Sequence, residues 1–397
     1  MPMPTDHVES LLPTRAGHKS GDRPRLALLD ILRLLAALAV LFFHWLYAAP
    51  KSGEVTAFES TPVSWLAAYG FLGVQLFFII SGFVIFLSAS GRTAFAFAAG
   101  RATRLYPAFW AGAVLAAGTL LLTAQEAPNE LLPRFLANLT MFPERFGQSR
   151  LDIVYWTLAL EVEFYALVFL FLVFRRRHWL DTFFPLWAIG MLGTTLFLPG
   201  IARLPLAGET FSLFAGGAII AIIARSGWSI LRGAGLIASV IGGVIATIRQ
   251  VGPGREPDSV SPVVAAVAVV LLFVLVYVLT RPKVAAVHVP GSRLIGALTY
   301  PIYLAHAVFG YALLNLWVDP DSIWPGIAAA LAVVVAVSAG IHYLVERVAA
   351  PIWRTLFRVV FWPIAQIEAR FPDGSARASR ARTRSQASPE PPSSPTS

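Results

Sequence analysis

The chain has 397 residues, of which 57% are hydrophobic and only 13% carry a charged side chain, and its mean hydropathy is +0.68. A soluble domain has roughly twice that charged share, so the composition excludes an ordinary soluble enzyme. The absence of cysteine excludes disulfides, thiolate metal ligands, a cysteine nucleophile and lipidation at cysteine. The net charge of +9 would suit a nucleic-acid partner in a soluble protein. In a membrane protein its distribution among the loops decides its meaning, and we expect no nucleic-acid partner.

Long apolar segments follow one another along most of the chain. Because a bilayer core requires about 20 apolar residues per helix, they predict an all-α, polytopic transmembrane helical bundle of about ten spans. The predicted spans are 27–48, 69–90, 106–124, 154–174, 180–199, 209–224, 229–248, 261–280, 294–316 and 323–345. The span at 209–224 has the weakest signal, because it contains Gly216 and Gly217. We expect this multi-pass protein in the inner (plasma) membrane.

Positive charge concentrates in alternate loops, which gives the predicted spans an orientation. The other loops are mixed or acidic, as at Asp319 and Asp321. By the positive-inside rule both termini are cytoplasmic. Arg33 and His44 interrupt the first span, which is also long for the hydrophobic region of a signal peptide, so we expect it to be retained rather than cleaved. The basic residues that set the orientation are Arg15, Lys19, Arg23, Arg25, Arg92, Arg101, Arg104, Arg175, Arg176, Arg177, Arg225, Arg281, Lys283 and Arg293.

The chain divides into four segments by composition. Residues 1–24 are polar and basic, and residues 371–397 are rich in Ser, Pro and Arg, so both are predicted to be disordered. Residues 25–349 form the transmembrane domain. Residues 350–370 are predicted to form an amphipathic helix on the cytoplasmic surface. In that segment four aromatic residues alternate with two arginines: Trp353, Phe357, Phe361, Trp362, Arg354 and Arg358.

Ionisable residues inside apolar spans are costly and are therefore functional candidates. Arg33 and His44 in the first span are eleven residues apart, which places them on one helix stripe about 16 Å apart. Asp30 precedes Arg33 by three residues, a spacing that suits an ion pair. Two structural alternatives remain open: Arg33 extends to the inner interface, and His44 makes an interhelical hydrogen bond.

The fourth predicted span contains two glutamates, Glu161 and Glu163. They lie about 200° apart around a helix and cannot form a carboxylate dyad. Glu161 shares a helix face with Tyr165. Because the first and fourth spans run in opposite directions, we expect Glu161 and His44 at similar depth in the outer half of the membrane. At that depth a carboxylate can orient or charge an imidazole.

A short basic loop and the second span supply further candidates. Arg101 and Arg104 share a face if their segment is helical and could then hold a phosphate, although topology alone also explains them. Ser81 and Gly82 permit either close helix packing or close approach of a ligand to the backbone.

The last two spans carry polar residues at helical spacing. Tyr300, Tyr303 and His306 lie on one side of the ninth span, and His342 and Glu346 are four apart at the cytoplasmic end of the tenth. An interhelical polar network is the simplest interpretation of both groups. We expect no metal site, because no two histidines have close ligand spacing.

In their order along the chain, from about Leu26 to Pro351, these segments resemble the acyltransferase 3 family of integral membrane acyltransferases. Any one motif is weak, whereas the ordered set is specific. Two positions depart from the family pattern: Thr157 stands where serine is usual, and VERVAAP replaces a more compact Glu-x-Pro ending. The motifs are Arg33-x10-His44, GVQLFFIISGF at 73–83, Arg101-x-x-Arg104 with Tyr106-Pro107, WTLALEVEFY at 156–165, YPIYLAH at 300–306 and Glu346.

The resemblance implies transfer of an acyl group, commonly acetyl, from acyl-CoA to a hydroxyl of an envelope carbohydrate or glycolipid. It implies acyl-CoA (acetyl-CoA) as co-substrate and no permanently bound cofactor. It assigns His44 as catalytic base or transient acyl carrier, and Glu161 as the residue that orients His44 or the acceptor. Donor binding falls to Arg33, Arg101 and Arg104. The expected supporting residues are Asp30, Ser81, Tyr165, Tyr303, His306 and Glu346.

Two other functions fit the same residues. Intramembrane His and Glu could relay protons in a transporter or flippase, or the acceptor could be a cytoplasmic small molecule such as a macrolide. The outer loop of roughly 30 residues between the third and fourth spans is long enough to shape an acceptor site. Many members of the resembled family append an SGNH-type domain, so we expect this chain to act alone or with a separate SGNH-type or periplasmic partner.

Overall fold

The computed structural model of the protein describes residues 26–198, 200–201, 204–251 and 259–370. The predicted disordered segments 1–24 and 371–397 lie outside the described residues. The described part is helical, with one isolated β-bridge between Asp319 and Ser322 and no sheet. This confirms the all-α prediction.

Among the described residues, eight helices are long and apolar enough to cross a membrane, and a bent pair makes a ninth crossing if it is counted as one span. Each of the ten predicted positions holds one of these helices, the bent pair or a shorter helix. The helices are α1 (Ala27–Ser52), α2 (Ser64–Ala89), α3 (Ala94–Leu122), α4 (Pro128–Asn138), α5 (Ile153–Val173), α6 (Arg177–Phe197), α7 (Phe211–Ser226), α8 (Ile230–Ile248), α9 (Pro262–Leu279), α10 (Ser292–Ala305), α11 (Val308–Trp317), α12 (Ile323–Val348), α13 (Ala350–Val360) and α14 (Trp362–Arg370), with a single turn at Pro282–Ala285.

The prediction of about ten spans was too high, because one predicted span, α7, has only 16 residues and is shorter than a full crossing. It packs against α2, α6 and α8. Every residue from Phe211 to Ile223 is buried. A helix surrounded by protein need not match the bilayer thickness, because its neighbours replace lipid along its whole surface.

Backbones come close where α2 crosses α7. A Cβ added to Gly82 would lie 1.9 Å from the carbonyl oxygen of Phe214, and one added to Gly217 would lie 1.9 Å from that of Ile79. Small residues at such crossings replace side-chain contact with backbone contact, which is how transmembrane helices commonly associate. The crossing therefore requires glycine at both Gly82 of α2 and Gly217 of α7, because any side chain there would collide with the other helix's backbone.

The ninth crossing is made of α10 and α11, which bend by 74° at His306 and Ala307. A break of this kind exposes backbone groups that must find other partners in a membrane. The indole nitrogen of Trp45, which is fully buried, donates to the carbonyl oxygen of His306 at 2.6 Å. The break is therefore stabilised from α1.

We predict that Gly82→Ala lowers the stability of the bundle. Its Cβ would displace backbone rather than a flexible side chain, and overpacking of this kind costs about 1–3 kcal/mol or more. Gly118→Ala in α3 is the matched control, because no atom lies within 4 Å of its added Cβ and alanine is the better helix former. Thermal unfolding in detergent, followed by the fluorescence of the 11 tryptophans, compares the two. Equal midpoints for Gly82→Ala and wild type would contradict the tight crossing.

Candidate active site

His44 lies where α1 changes from α-helix to a π-helical segment, His44–Ala48. The preceding residues from Ala27 to Phe43 are α-helical, so Arg33 and His44 keep the stripe that their spacing predicts. The hydroxyl of Tyr311 lies 3.0 Å from His44 Nδ1. π-Helical segments are frequent at functional sites, and here the segment begins at the candidate catalytic residue.

A second imidazole stands beside His44. The ring centroids of His44 and His306 are 5.2 Å apart. His306 is fully buried, and its Nδ1 lies 2.7 Å from the carbonyl oxygen of Tyr303. Because a carbonyl only accepts, Nδ1 carries the hydrogen and Nε2 keeps its lone pair. Within the described residues this Nε2 is buried without a hydrogen-bond partner, so it is an open acceptor close to His44.

Asp152 fixes the geometry around these rings, although the sequence did not single it out. Its carboxylate accepts hydrogen bonds from the backbone N–H of Val154 and of Val308, each at 3.1 Å. It therefore joins the beginning of α5 to the beginning of α11, and its side chain is 1% exposed. Burial raises the pKa of this carboxyl to about 6, while the two N–H donors oppose the shift. A sequence can indicate that an aspartate caps the helix that follows it, but it cannot indicate a second partner as distant as Val308.

A narrow cavity with mainly apolar walls, here called the apolar cavity, lies between α1, α2, α5 and α10. Its apolar walls include Phe77 and Phe78. The hydroxyls of Thr157 and Tyr303 are 2.8 Å apart at its edge, so Thr157 supplies the hydroxyl that serine would supply in the family pattern. Tyr303 in turn contacts the ring of His306 at a centroid distance of 5.4 Å. The polar lining residues are Arg33, Ser81, Thr157, Glu161, Thr299, Tyr300 and Tyr303.

A larger cavity, here called the open cavity, adjoins the apolar one and comprises about 1700 Å³ of space, part of it open to solvent. The two share Arg33, Glu161 and Tyr300 in their linings. Five arginines and three carboxylates line the open cavity, so its lining as a whole carries an excess of positive charge. These charged residues are Arg33, Arg104, Arg293, Arg347, Arg354, Asp30, Glu161 and Glu346.

Arg33 is the charged centre of this boundary. It lies within electrostatic range of Arg104, Glu161 and Asp30. Its Nε atom is buried without a hydrogen-bond partner among the described residues. A guanidinium with unused donors that faces two cavities is suited to hold an anionic ligand.

Glu161 and His44 have different neighbours in the structure. Glu161 accepts a hydrogen bond from the hydroxyl of Tyr165 and lines both cavities with Arg33. In the described part of the chain, the hydrogen-bond partner of His44 is Tyr311 rather than Glu161. Tyr311 was missed because it lies in α11, beyond the break, where no spacing rule relates it to α1.

The structure also separates Arg101 from Arg104. Arg104 lines the open cavity, whereas the Arg101 guanidinium lies 5.8 Å from the ring centroid of Tyr165. The three-residue spacing of Arg101 and Arg104 places them on one helix face, but only Arg104 reaches the lining of the cavity.

The remaining candidates lie around the same cavities. Ser81 lines the apolar cavity. Glu346 lines the open cavity and lies 2.7 Å from His342 Nδ1, within a second π-helical segment, Ile341–Val348. Among the described residues no group of three His, Cys, Asp or Glu side chains is arranged to hold a metal ion.

We predict that Asp152→Asn destabilises the protein and lowers its activity. An asparagine can accept one of the two backbone N–H groups, but it turns its own NH₂ toward the other. Loss of one buried hydrogen bond to a charged group costs about 1–3 kcal/mol. Unfolding midpoints in detergent test this, with Asp321→Asn as the control because that side chain is exposed. Identical midpoints for the two variants would show that the double hydrogen bond is not a stabilising contact.

Residues 26–343 match the acyltransferase domain family Acyl_transf_3. The exopolysaccharide production protein ExoZ of Rhizobium meliloti (strain 1021) is 31% identical over 250 residues, which make up 60% of this chain and 75% of that protein. No solved structure is significantly similar to the chain. The match runs from α1 into α12 and covers most of the chain, so the chain belongs to the acyltransferase 3 family and is a multi-pass membrane enzyme that transfers acyl groups.

Proposed function

We propose that the protein transfers an acyl group, acetyl in the simplest case, from cytoplasmic acyl-CoA to a hydroxyl of an envelope polysaccharide or glycolipid. The observation that carries this proposal is the junction of the two cavities. A wide arginine-lined cavity meets a narrow apolar one at Arg33, Glu161 and Tyr300. A donor with an anionic nucleotide end and a long, weakly polar arm matches that change of chemistry.

The open cavity would receive the phosphates of the donor. Arg33 and Arg104 face it with guanidinium groups, which bind phosphate through paired hydrogen bonds. The phosphates would not follow the arm into the apolar cavity, because Phe77, Phe78 and Val74 offer no compensation for buried charge. The thioester end would therefore enter the apolar cavity first.

His44 would act on the thioester from beyond the end of this path. Thr157 and Tyr303 line the apolar cavity, and a series of ring contacts runs from Tyr303 to His306 to His44. Since His44 does not line the cavity as described, we infer that the Tyr303 and Phe77 rings, which contact each other, move aside when the thioester arrives.

The tautomer of His44 determines which nitrogen reacts. If Nδ1 donates to Tyr311, Nε2 is free to take the proton of the acceptor hydroxyl. The hydroxyl oxygen then attacks the thioester carbonyl, the sulfur leaves with the bonding electrons, and the proton passes from Nε2 to the thiolate. The same Nε2 could instead attack the thioester first and carry the acyl group as an acyl-imidazole.

An envelope glycan is the acceptor class that the similarity to an exopolysaccharide production protein supports. The segment between α3 and α5 would contribute to its site. It is an ordered loop: Asn138 Nδ2 donates to the carbonyl of Ser149 at 2.9 Å, and Asn138 Oδ1 accepts from Leu151 N–H at 3.0 Å. By the positive-inside rule this loop is on the outer face of the inner membrane and both termini are cytoplasmic.

Family membership favours acyl transfer over the transporter alternative. A cytoplasmic acceptor such as a macrolide would enter from the same side as the donor. An envelope acceptor would meet His44 from the opposite side, so the location of the acylated product separates the two.

We predict that His44→Ala abolishes acylation and leaves the protein inserted and folded, because general acid–base catalysis contributes about 100- to 10,000-fold. His288→Ala is the matched control, since His288 is an exposed loop residue. Each variant is returned to a deletion strain, and mass spectrometry of the envelope polysaccharide measures acylation. Tyr311→Phe should give an intermediate loss of acylation, because the Tyr311 hydroxyl that orients the His44 ring is removed. Unchanged acylation in His44→Ala would refute the assignment. An acyl group found on His44 without acceptor would establish the carrier route.

We predict that Arg104→Ala raises the KM for acetyl-CoA about tenfold with little change in kcat, because one charge-assisted hydrogen bond to a distant phosphate is lost. Arg101→Ala should have the smaller effect, since Arg101 faces Tyr165 rather than the cavity. Kinetics with purified protein and a soluble acceptor measure both. Equal effects of the two substitutions would mean that the arginines act as a pair, as their spacing suggests. No effect of either would assign them to topology.

A further inference from the structure

The chain does not leave the bundle where the family match ends at residue 343. Instead α13 folds back against α3. Phe357, 6% exposed, lies 6.0 Å from the ring centroids of both Trp110 and Tyr106. Trp353 lies 5.8 Å from Trp110 and donates through its indole nitrogen to the carbonyl of Val345 at 2.9 Å. An aromatic cluster of this size fixes the rotation of α13 about its own axis.

A second attachment holds the far end of the segment. The two carboxylate oxygens of Glu368 in α14 accept hydrogen bonds from the backbone N–H of Ala94 at 2.7 Å and of Phe95 at 3.3 Å. These are first-turn N–H groups of α3, which have no partner within the helix and carry its positive dipole end. Arg175 at the end of α5 donates to the carbonyl of Glu368 at 2.9 Å. Residues 344–370 are thus fastened to α3 at both ends.

This clasp, residues 344–370, carries charge into the open cavity. Arg347 and Arg354 both line it, together with Arg104 of α3 and Arg33 of α1. Two of the five lining arginines therefore come from outside the matched domain. No hydrogen bond or ion pair within the described residues engages the Arg354 guanidinium, which leaves its donors available. Arg358, one turn further along α13, is exposed and does not line the cavity.

We propose that this clasp completes the donor site, with Arg354 and Arg347 binding phosphate groups of the nucleotide end of the acyl-CoA and Glu368 acting as a positioning residue through α3. The inference rests on the proposed function, because it assigns a further part of the same donor site. The basis of the inference is the attachment of the clasp to α3. The helix that carries Arg104 thereby also holds the segment that carries Arg354. The phosphates would thus be held between two helices of fixed spacing.

The test compares two arginines of one helix. Arg354→Ala should raise the KM for acetyl-CoA and the Kd for CoA about tenfold, the loss expected for one charge-assisted hydrogen bond, with kcat nearly unchanged. Arg358→Ala should change neither. With acetyl-pantetheine, which lacks the nucleotide, Arg354→Ala and wild type should have the same KM. Arg354→Lys should recover part of the affinity, because it restores charge without the planar fork.

Glu368→Gln tests the positioning role. It retains one acceptor oxygen at the α3 terminus but loses the charge, so we expect a several-fold rise in the KM for acetyl-CoA, no change with acetyl-pantetheine, and an unchanged kcat. A general loss of folding would instead reduce turnover with both donors.

Two results separate failure of this inference from failure of the proposed function. If wild type binds CoA and His44→Ala is inactive, but Arg354→Ala matches Arg358→Ala, the clasp is not part of the donor site and the proposed function stands. If wild type neither binds CoA nor uses acetyl-CoA, the proposed function fails, and this inference fails with it.

Discussion

A guanidinium within a transmembrane helix is the constraint on which the rest of this structure depends. A buried cation in a membrane helix is costly unless opposite charges lie near it. Glu161 of α5 and Asp30 of α1 offset the charge of Arg33, whereas Arg104 of α3 repels it, so positive charge from two helices meets at one point. The two cavities meet there, with Arg33 in the wall of each.

The geometry around His44 depends on a second constraint, the satisfaction of backbone groups at a broken helix. The break between α10 and α11 would leave a carbonyl and an N–H unpaired in the membrane. Trp45 donates to the carbonyl of His306, and Asp152 accepts from the N–H of Val308. Each of these bonds also places a ring, because the same break turns His306 toward His44 and sets Tyr311 over its Nδ1. The hydrogen bonds that satisfy the backbone at the break therefore also position the side chains around His44.

The sequence predicted the positions of the membrane helices well, because an apolar run of about 20 residues can satisfy its backbone hydrogen bonds in a bilayer by forming a helix. It overcounted at α7, since hydropathy cannot distinguish a short helix buried in protein from one in lipid. It placed Arg33, His44 and Glu161 among the candidates because charge inside a span is conspicuous. It missed Tyr311 and Asp152, whose roles exist only across a helix break. The separation of Arg101 from Arg104 was equally invisible, because spacing fixes a shared face and not the edge of a cavity.

The direction in which a donor would enter follows from desolvation more than from shape. Between Phe43 and Arg33 the first helix is unbroken α-helix, so the charged end and the reactive imidazole stay about 16 Å apart along one stripe. A π-helical turn placed between them would have rotated one away from the other, whereas the turn begins only at His44. In the proposed function, phosphates would be stabilised at the arginine end and would lose their hydration without compensation among Phe77 and Phe78. The weakly polar arm would have the opposite preference, so the roughly 16 Å between Arg33 and His44 would also orient the two ends of an acyl-CoA donor.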